Sequence, residues 1–268
     1  SFYKLNNGIS FYSENFVLNK KIILRLFSMM TKGVRLYNLF SKKMKEEKPD
    51  VVISFISETN LIALAHIFRN YKLIISERCD PSKHPFFKKL ICKILYKKAD
   101  VLVCQSNIVK EYFNSKNAIV IPNPIDSKLL PPLFCGEREK RIVAVGRLQE
   151  QKNFKNLILA FSSFAQETDY LEYNLEIYGD GKLRKQLLNL ISELKLENRV
   201  FLMGAKKNVL ELINNASLFV MSSDFEGYPN ALAEAMALGL PVISTDFFTG
   251  TARELIGQDN GILVPVND

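Results

Sequence analysis

The chain has 268 residues, 47% of them hydrophobic and 24% charged, and a formal net charge of +8. This composition is typical of a globular protein and excludes a disordered one. No run of about 18 apolar residues predicts a membrane span. Cys79, Cys92, Cys104 and Cys135 are scattered, without a C-x-x-C pair or nearby histidines. We therefore expect buried, reduced thiols in a cytoplasmic protein rather than disulfides or a zinc site.

The charge is distributed unevenly along the chain. Residues 1–130 hold 22 Lys and Arg against 10 Asp and Glu, a net charge of +12. Residues 131–268 hold 14 against 18, a net charge of −4. We expect the first half to face something anionic. The acidic second half would not by itself attract nucleic acid, and no nucleic-acid partner is expected.

Short β-rich runs alternate with helical stretches after residue 50, which predicts parallel α/β domains. In the first half, strands are predicted at 51–56, 73–76, 101–105 and 118–121, with a weaker one at 9–12, and helices at 19–47, 59–70, 86–99 and 107–115. The prolines that follow cannot continue a helix or a central strand. We therefore place an interdomain linker at 122–139.

The predicted helix at 86–99 is amphipathic, and its apolar and basic residues favour two interpretations. Its apolar side chains are Phe87, Leu90, Ile91, Ile94 and Leu95, and the lysines around them are Lys88, Lys89, Lys93, Lys97 and Lys98. A basic amphipathic helix can lie on an anionic membrane. Alternatively, the apolar stripe covers the sheet while the lysines are solvated.

The second half repeats the alternation with six strands. Strands are predicted at 142–145, 175–178, 200–203, 218–221, 242–244 and 262–264, and helices at 153–167, 182–195, 208–215 and 229–238. Six strands joined by helices predict a doubly wound sheet, which binds ligands beyond the carboxyl ends of its strands. Glycine, charged or amide residues follow the first five of these strands.

Two cations follow the first strand of this half. Arg147 can hold a phosphate through two parallel hydrogen bonds, and Lys152 adds a point charge, so that the loop suits a diphosphate. Two solvated loop cations are the alternative.

A short helix beginning near Pro229 and ending before Gly239 is a second candidate. Its first turn would offer free N–H groups and the positive end of a dipole to an anion. Glu234 is the only charge of the helix, and Glu226 precedes it in the loop. These carboxylates could accept hydrogen bonds from sugar or ribose hydroxyls. In the alternative, Glu234 pairs with a neighbouring cation and Glu226 is a solvated loop acid.

The sequence around these glutamates resembles a known family. Glu226 and Glu234 lie in EGYPNALAEAMALGLPVISTD, which is similar to the paired-glutamate motif of family 4 retaining glycosyltransferases with the GT-B fold. VAVGRLQEQKN, IYGDG, VFLMG and NGILVPVND also match, in the family's order. TGTARELI, KPDVVISF, IISERCDP, KKADVLVCQS and IPNPID resemble the bacterial surface-glycan N-acetylhexosaminyl- and hexosyltransferase subgroup. The resemblance covers most of residues 48–268.

The resemblance implies an α/β fold of two Rossmann-like domains that face each other across a cleft. Residues 1–130 would form the acceptor-side domain and residues 131–268 the nucleotide-sugar donor-binding domain. Family members begin with a strand and a glycine-rich turn, whereas the first 18 residues here hold only Gly8. They also continue with helices beyond the position of Asp268. We therefore expect an incomplete N-terminal domain and missing C-terminal helices.

The resemblance also implies roles for individual residues. Arg147 and Lys152 would hold the donor diphosphate, Glu226 would contact the transferred sugar, and Glu234 the ribose. The remaining implied donor contacts are Gly146, Gly179, Gly181, Gly204, Gly227, Tyr228, Pro229, Asn230, Ala231, Thr251 and Arg253. Glu77 and Arg78 are candidates for the acceptor side of the cleft, with an ordinary surface ion pair as the alternative.

The implied activity is retaining transfer of a hexose or N-acetylhexosamine from a nucleoside diphosphate sugar, UDP-linked, to a glycan or polyprenyl-linked glycan. We expect a cytoplasmic location with peripheral contact to the inner face of the membrane. Because the chain lacks a D-x-D motif, we expect no metal and no cofactor besides the sugar nucleotide. A nucleotide-sugar epimerase and a truncated, non-catalytic donor-binding subunit remain alternatives. A dehydrogenase is not supported, because G-D-G is not G-x-G-x-x-G.

Overall fold

The computed structural model describes residues 22–67, 69–257 and 260–267, and the weak strand predicted at 9–12 lies outside them. The helices are α1 (Ile22–Glu47), α2 (Ser57–Ala65), α3 (Phe86–Leu95), α4 (Asn107–Phe113), α5 (Phe154–Phe164), α6 (Arg184–Glu193), α7 (Val209–Ile213), α8 (Asn230–Ala237) and α9 (Thr251–Leu255). The strands are β1 (Val51–Phe55), β2 (Lys72–Ser76), β3 (Val101–Cys104), β4 (Ala118–Val120), β5 (Glu139–Val145), β6 (Asn174–Tyr178), β7 (Val200–Gly204), β8 (Ala216–Met221), β9 (Val242–Thr245) and β10 (Ile262–Val264). The ten strands predicted after residue 50 are confirmed.

The strands form two parallel sheets. The first has the order β1-β2-β3-β4, and the second has the order β10-β9-β8-β5-β6-β7. The second order is that of a doubly wound dinucleotide-binding fold, in which the strand order reverses beside the first strand. Here the reversal lies between β5 and β8, which pair directly. Ligands of such sheets bind in the crevice at the reversal, so a ligand site is expected at the loops after β5 and β8.

Apolar residues on both of its faces explain why β5 lies in the interior of the second sheet. Ile142, Val143 and Ala144 of β5 are all buried, as expected for a strand that is covered on both sides. One core cluster joins β5 and β6 to α5 and α6, and another joins β5 and β8 to α7, α8 and α9. A third cluster lies in the first sheet. The two sheets therefore have separate cores.

Helix ends depart from the predictions where local signals are weak. The helix predicted at 59–70 occupies Ser57–Ala65, and the one predicted at 86–99 changes to a 3₁₀ turn at Tyr96–Lys98. Helix α9 was not predicted, because five residues are too few for a periodic pattern. Asn153 caps α5, since its side chain accepts a hydrogen bond from the Asn156 amide.

Helix α3 does not use its apolar stripe to cover the first sheet. Cys92 of α3 and Tyr96 of the turn after it are buried, whereas Phe87, Leu90, Ile91 and Ile94 are exposed and Leu95 is half-buried. The interpretation that the stripe packs on the sheet is therefore wrong for four of these five residues. The small Cys92 and the long Tyr96 fill the space beneath the helix, so the larger aliphatic side chains point outward.

The expectation of four buried thiols is partly wrong. Cys92 and Cys104 are buried, Cys79 is half-buried, and Cys135 is exposed in the segment before β5. All four are unpaired. Within the described ranges, no helix is both long and apolar enough to cross a bilayer.

Polar contacts join the two sheets across the cleft. The Ser106 hydroxyl donates to the Thr249 carbonyl at 2.6 Å, and the Asn107 amide donates to a Glu254 carboxylate oxygen at 2.8 Å. Both Ser106 and Asn107 stand at the start of α4, just past the carboxyl end of β3. The carboxyl ends of the two sheets therefore face each other.

Candidate donor site at the strand-order reversal

The ion pair between Lys152 and Glu226 is the centre of the candidate site. Lys152 follows β5 and Glu226 follows β8, the two strands that flank the reversal. The Lys152 Nζ lies 2.7 Å from Glu226 Oε1, and both side chains are largely buried. Predicted from separate motifs, these two residues are brought into direct contact by the fold. Glu226 is therefore not a solvated loop acid.

Glu226 is held by more than its ion pair. The Ser223 hydroxyl donates to Oε1 at 2.8 Å, and the Gln151 side-chain amide donates to Oε2 at 3.1 Å. The Thr249 hydroxyl donates to the Glu226 carbonyl at 3.0 Å. Both carboxylate oxygens therefore have donors, although only 7% of the residue is exposed. The network holds Lys152 at a defined place beside the cleft.

Arg147 is the free cation of this loop. Its side chain is exposed, and it makes no hydrogen bond or ion pair with any part of the chain that the structure describes. One paired lysine and one unpaired arginine thus stand on the same loop. A guanidinium without a protein partner retains its donors for an incoming anion.

Glycines allow the loops at this edge to approach one another closely. A Cβ at Gly179 would lie 1.8 Å from the Gly146 carbonyl oxygen, and one at Gly181 would lie 2.4 Å from the Leu148 carbonyl oxygen. The stem of Lys152 lies against Gly146, where a Cβ would be 2.9 Å from Lys152 Cε. Gly204 has a positive φ of 73° and bridges Gly179. These four predicted glycines shape the wall of the crevice through their backbone.

The loop that enters α8 contacts the opposite domain directly. A Cβ at Gly227 would lie 2.0 Å from the Arg78 carbonyl oxygen, so only glycine permits this approach. Pro229 is buried at the N-cap position of α8, Tyr228 and Ala231 are half-buried, and Asn230 is exposed at the first helical position. Burial raises the pKa of the Tyr228 phenol. The first turn of α8 therefore lies at the cleft, where its dipole favours an anion.

Glu234 has no partner among the described residues. Burial is the single cause that raises the pKa of its carboxyl, with neither a hydrogen bond nor a nearby charge to offset it. The alternative that it pairs with a neighbouring cation is therefore wrong. An unpaired, half-buried carboxylate one turn into α8 retains its acceptor capacity for a ligand.

Glu234→Gln is expected to stabilise the ligand-free protein and to weaken donor binding. The raised pKa means that ionisation of Glu234 destabilises the folded state, and this penalty grows as the pH rises above 4.5. We expect the Tm to rise by about 2 °C near neutral pH and to change little at acid pH. The Kd for a uridine nucleotide should rise about tenfold, because a charged acceptor is lost.

Calorimetry and thermal melts of the same preparations test both effects. Glu193→Gln, at an exposed position in α6, is the matched control and should change neither quantity. An unchanged nucleotide affinity would remove Glu234 from the site. A fall in Tm would show instead that the carboxylate has a partner in the folded protein.

Thr251 and Arg253 do not present free groups to the crevice. Thr251 is buried, and its hydroxyl lies 3.1 Å from the Thr249 hydroxyl and 3.5 Å from the Gly227 carbonyl. Arg253 is exposed and pairs with Asp246 after β9, with Nε 3.2 Å from Oδ2. Thr251 therefore contacts the loop that carries Glu226, and Arg253 forms an ion pair with a carboxylate of its own domain.

Glu77 differs from both expectations, whereas Arg78 faces the cleft as expected. Glu77 is 1% exposed. Its carboxylate accepts hydrogen bonds from the Tyr96 hydroxyl at 2.7 Å and from the backbone amides of Arg78 and Cys79. Burial is the main cause that raises its pKa. A surface ion pair is therefore wrong, and Glu77 does not offer a group to the cleft. Arg78 does, because it is exposed and contacts the α8 loop through its backbone.

A chain of side chains connects Arg78 to α8. Arg78 donates to the Asn123 side-chain oxygen at 2.6 Å, as does Gln105. Asn123 in turn donates to the Asn230 side-chain oxygen at 2.7 Å. The first residue of α8 is thereby hydrogen-bonded to the opposite domain. Asn123, which lies in the predicted linker, is thus part of the cleft.

Several residues of the site escaped the sequence analysis. Ser223, Gln151, Thr249 and Asn123 support Glu226, its loop or the start of α8. A signal for Ser223 was available, because it lies directly beyond β8 at the functional edge of the sheet. Gln151 neighbours Lys152 in the sequence, but its contact with Glu226 joins two distant parts of the chain and could not be inferred.

Taken together, these groups can hold a pyrophosphate with an attached sugar and nucleoside. Arg147 and the start of α8 offer positive potential, and Glu234 offers acceptors for hydroxyl groups. In the described ranges, no group of three or more His, Cys, Asp and Glu side chains could hold a metal ion.

Comparison with known proteins places this arrangement in a family. A family model described as glycosyl transferases group 1 matches residues 131–268. The chain belongs to this family. The matched region of this group 1 chain contains the second sheet and the loops of the candidate site, with Glu226 and Glu234. At 35% identity, the chain spans 60% to 64% of the length of curated relatives that it matches.

A relative and two solved structures extend the comparison. The relative, from Campylobacter jejuni, is named N-acetylgalactosamine-N,N'-diacetylbacillosaminyl-diphospho-undecaprenol 4-alpha-N-acetylgalactosaminyltransferase. It is 35% identical over 240 residues, which are 82% of this chain and 64% of that protein. The lipopolysaccharide outer core galactosyltransferase WaaB superposes with a TM-score of 0.69 at 25% identity, covering 89% of this chain and 68% of WaaB. Anabaena HepE in complex with UDP gives 0.74 at 20% identity, covering 87% and 69%. The GT-B fold of the group 1 chain is confirmed.

Proposed function

We propose that the protein is a retaining glycosyltransferase that moves a hexose or N-acetylhexosamine from a UDP-linked sugar to a lipid-linked glycan in polysaccharide biosynthesis. The observation that carries the proposal is the meeting of Lys152, Glu226 and the unpaired Arg147 beside the start of α8. The acceptor class is supported by the name of the Campylobacter relative, and the uridine nucleotide by the HepE complex.

In the proposed reaction, the bond between the sugar and the diphosphate breaks and its electrons pass to the leaving phosphate oxygen. Arg147, Lys152 and the α8 dipole stabilise the charge that develops there. An acceptor hydroxyl attacks on the same face of the sugar and gives its proton to the leaving phosphate. Glu234 accepts hydrogen bonds from the ribose hydroxyls, and Glu226 fixes Lys152 beside the transferred sugar.

We propose that this chemistry needs no divalent cation. The positive charge around the leaving group comes from Arg147, Lys152 and the helix start. We also infer a cytoplasmic location, because scattered, unpaired cysteines suit a reducing compartment.

The test is turnover of a panel of uridine and guanosine diphosphate sugars with a water-soluble analogue of a lipid-linked glycan. We expect one donor to raise the Tm, because a ligand stabilises the state that it binds, and to be consumed when acceptor is present. A chelator should leave the rate unchanged. Loss of turnover with chelator, restored by magnesium, would contradict the metal-free proposal.

The same assay separates the alternatives. A new isomer formed from donor without acceptor would identify an epimerase instead. Donor binding without any turnover, over the whole panel of acceptors, would identify a non-catalytic donor-binding subunit. Either result would overturn the transferase proposal.

A further inference from the structure

The apolar face of α3 points away from the protein. Five large side chains on this ten-residue helix are between 45% and 76% exposed: Phe86, Phe87, Leu90, Ile91 and Ile94. At about 100° per residue, all five fall within an arc of roughly 140°. The buried Cys92 and Tyr96 project on the opposite side. Contiguous exposed apolar patches on one element indicate an interaction site.

The charges that α3 and the turn after it carry are all positive, and one of them, Lys88, pairs with Glu58 at 2.6 Å. Lys97 and Lys98 are exposed in the 3₁₀ turn that directly follows α3, at the C-terminal end of the apolar face. Lys89 and Lys93 lie beside the arc, and Lys93 covers the Tyr112 ring at 4.0 Å. No acidic residue occurs between Phe86 and Lys98. Apolar side chains with a basic border fit the boundary between lipid headgroups and acyl chains.

We propose that this α3 face, formed by Phe86, Phe87, Leu90, Ile91, Ile94, Lys97 and Lys98, is a docking surface for an anionic lipid bilayer. A second copy of the chain is a poor occupant, because it would bring lysines against lysines in a half of the chain with a net charge of +12. Protein interfaces are also depleted in lysine. An anionic bilayer would bury the apolar centre of the surface and attract its basic border.

The position of α3 connects this surface to the candidate donor site. The 3₁₀ turn Pro81–Lys83 precedes the helix, and the Lys83 Nζ lies 5.3 Å from the centre of the Phe225 ring. Phe225 is the neighbour of Glu226. A bilayer bound to α3 would therefore lie beside the mouth of the cleft. The docking surface goes beyond the proposed function, since bilayer binding requires neither donor nor acceptor.

The experiment is co-flotation of the protein with vesicles of phosphatidylcholine alone or mixed with phosphatidylglycerol, at low and high salt. We expect binding to the anionic vesicles that weakens with salt, since each lysine near an anionic surface contributes about 1 kcal/mol. Phe87→Ser with Ile94→Ser, and separately Lys97→Glu with Lys98→Glu, should each reduce the bound fraction at least about tenfold.

Leu188→Ser with Lys185→Glu makes the same kinds of change on the exposed face of α6, and this variant should bind like the wild type. All altered residues are exposed, so the Tm should be unchanged. Calorimetry with UDP, measured without vesicles, should also be unchanged, which separates failure of docking from failure of the proposed donor site.

Three outcomes would overturn the proposal. The proposal is wrong if the α3 variants bind like the wild type, or if neutral vesicles bind as well as anionic ones. Alternatively, the wild type could form a dimer that the α3 variants lose, without binding any vesicle. That last result would identify a second copy of the chain as the occupant.

Discussion

Lys152→Met is expected to lower turnover of the donor about a thousandfold. The side chain lies at the strand-order reversal and is held by Glu226 at 2.7 Å, so its charge has a fixed position at the site proposed for the leaving group. Loss of one preorganised group that stabilises developing charge costs about two to three orders of magnitude in rate. Steady-state kinetics with the donor found in the panel measure the effect. Lys155→Met, an exposed position in α5, is the control.

A second variant separates chemistry from folding. Lys152→Met leaves Glu226 without its counter-ion, and breaking a buried pair in this way costs about 3 kcal/mol of stability. Adding Glu226→Gln removes the unpaired charge, so we expect the double variant to recover most of the stability without recovering turnover. Recovery of turnover as well would show that Lys152 serves only to neutralise Glu226, and the proposed role would be wrong.

Arg147→Ala is expected to weaken UDP binding at least about tenfold while leaving the affinity for uridine unchanged. The guanidinium is exposed and lacks a partner among the described residues, so its removal should disturb no internal contact. Its contribution should appear only when a phosphate is present to accept two parallel hydrogen bonds. Calorimetry with UDP and with uridine, at two salt concentrations, measures the difference.

Two comparisons sharpen this prediction. Arg147→Lys keeps the charge but not the paired geometry, so it should restore only part of the affinity. Lys185→Ala, an exposed cation of α6 in the same domain, should change neither ligand. Equal losses for UDP and uridine would refute the assignment of Arg147 to the phosphates.

The strands and the functional edge of the second sheet could be predicted because their signals are local. Apolar runs such as Ile142–Val145 end at glycine, charged or amide residues. Because the strands are parallel, these residues lie together at the carboxyl edge of the sheet. The family motifs then related Glu226 to Glu234. Nothing local, however, predicts that Glu226 is neutralised by Lys152, because 74 residues separate them along the chain.

Predictions about burial were less successful, and the reason is physical. Glu77 directly follows β2, a position where a charged residue is expected to face a ligand. Its carboxylate instead accepts hydrogen bonds from the Tyr96 hydroxyl and two backbone amides inside the first domain. Periodicity identified the apolar face of α3 but could not decide which way it points. That choice depends on Cys92 and Tyr96, which together fill the space against the sheet.

The contacts across the cleft determine how readily it can open. Several are hydrogen bonds, including Ser106 to Thr249 and Asn123 to Asn230, and water can replace each of them at a net cost of about 1 kcal/mol. The aromatic contact between Tyr112 and Phe248 adds a small apolar area. Ile108 also packs against Gly250 across the cleft, so parting the domains would hydrate apolar as well as polar groups. Because the two sheets have separate cores, such an opening would leave both of them intact.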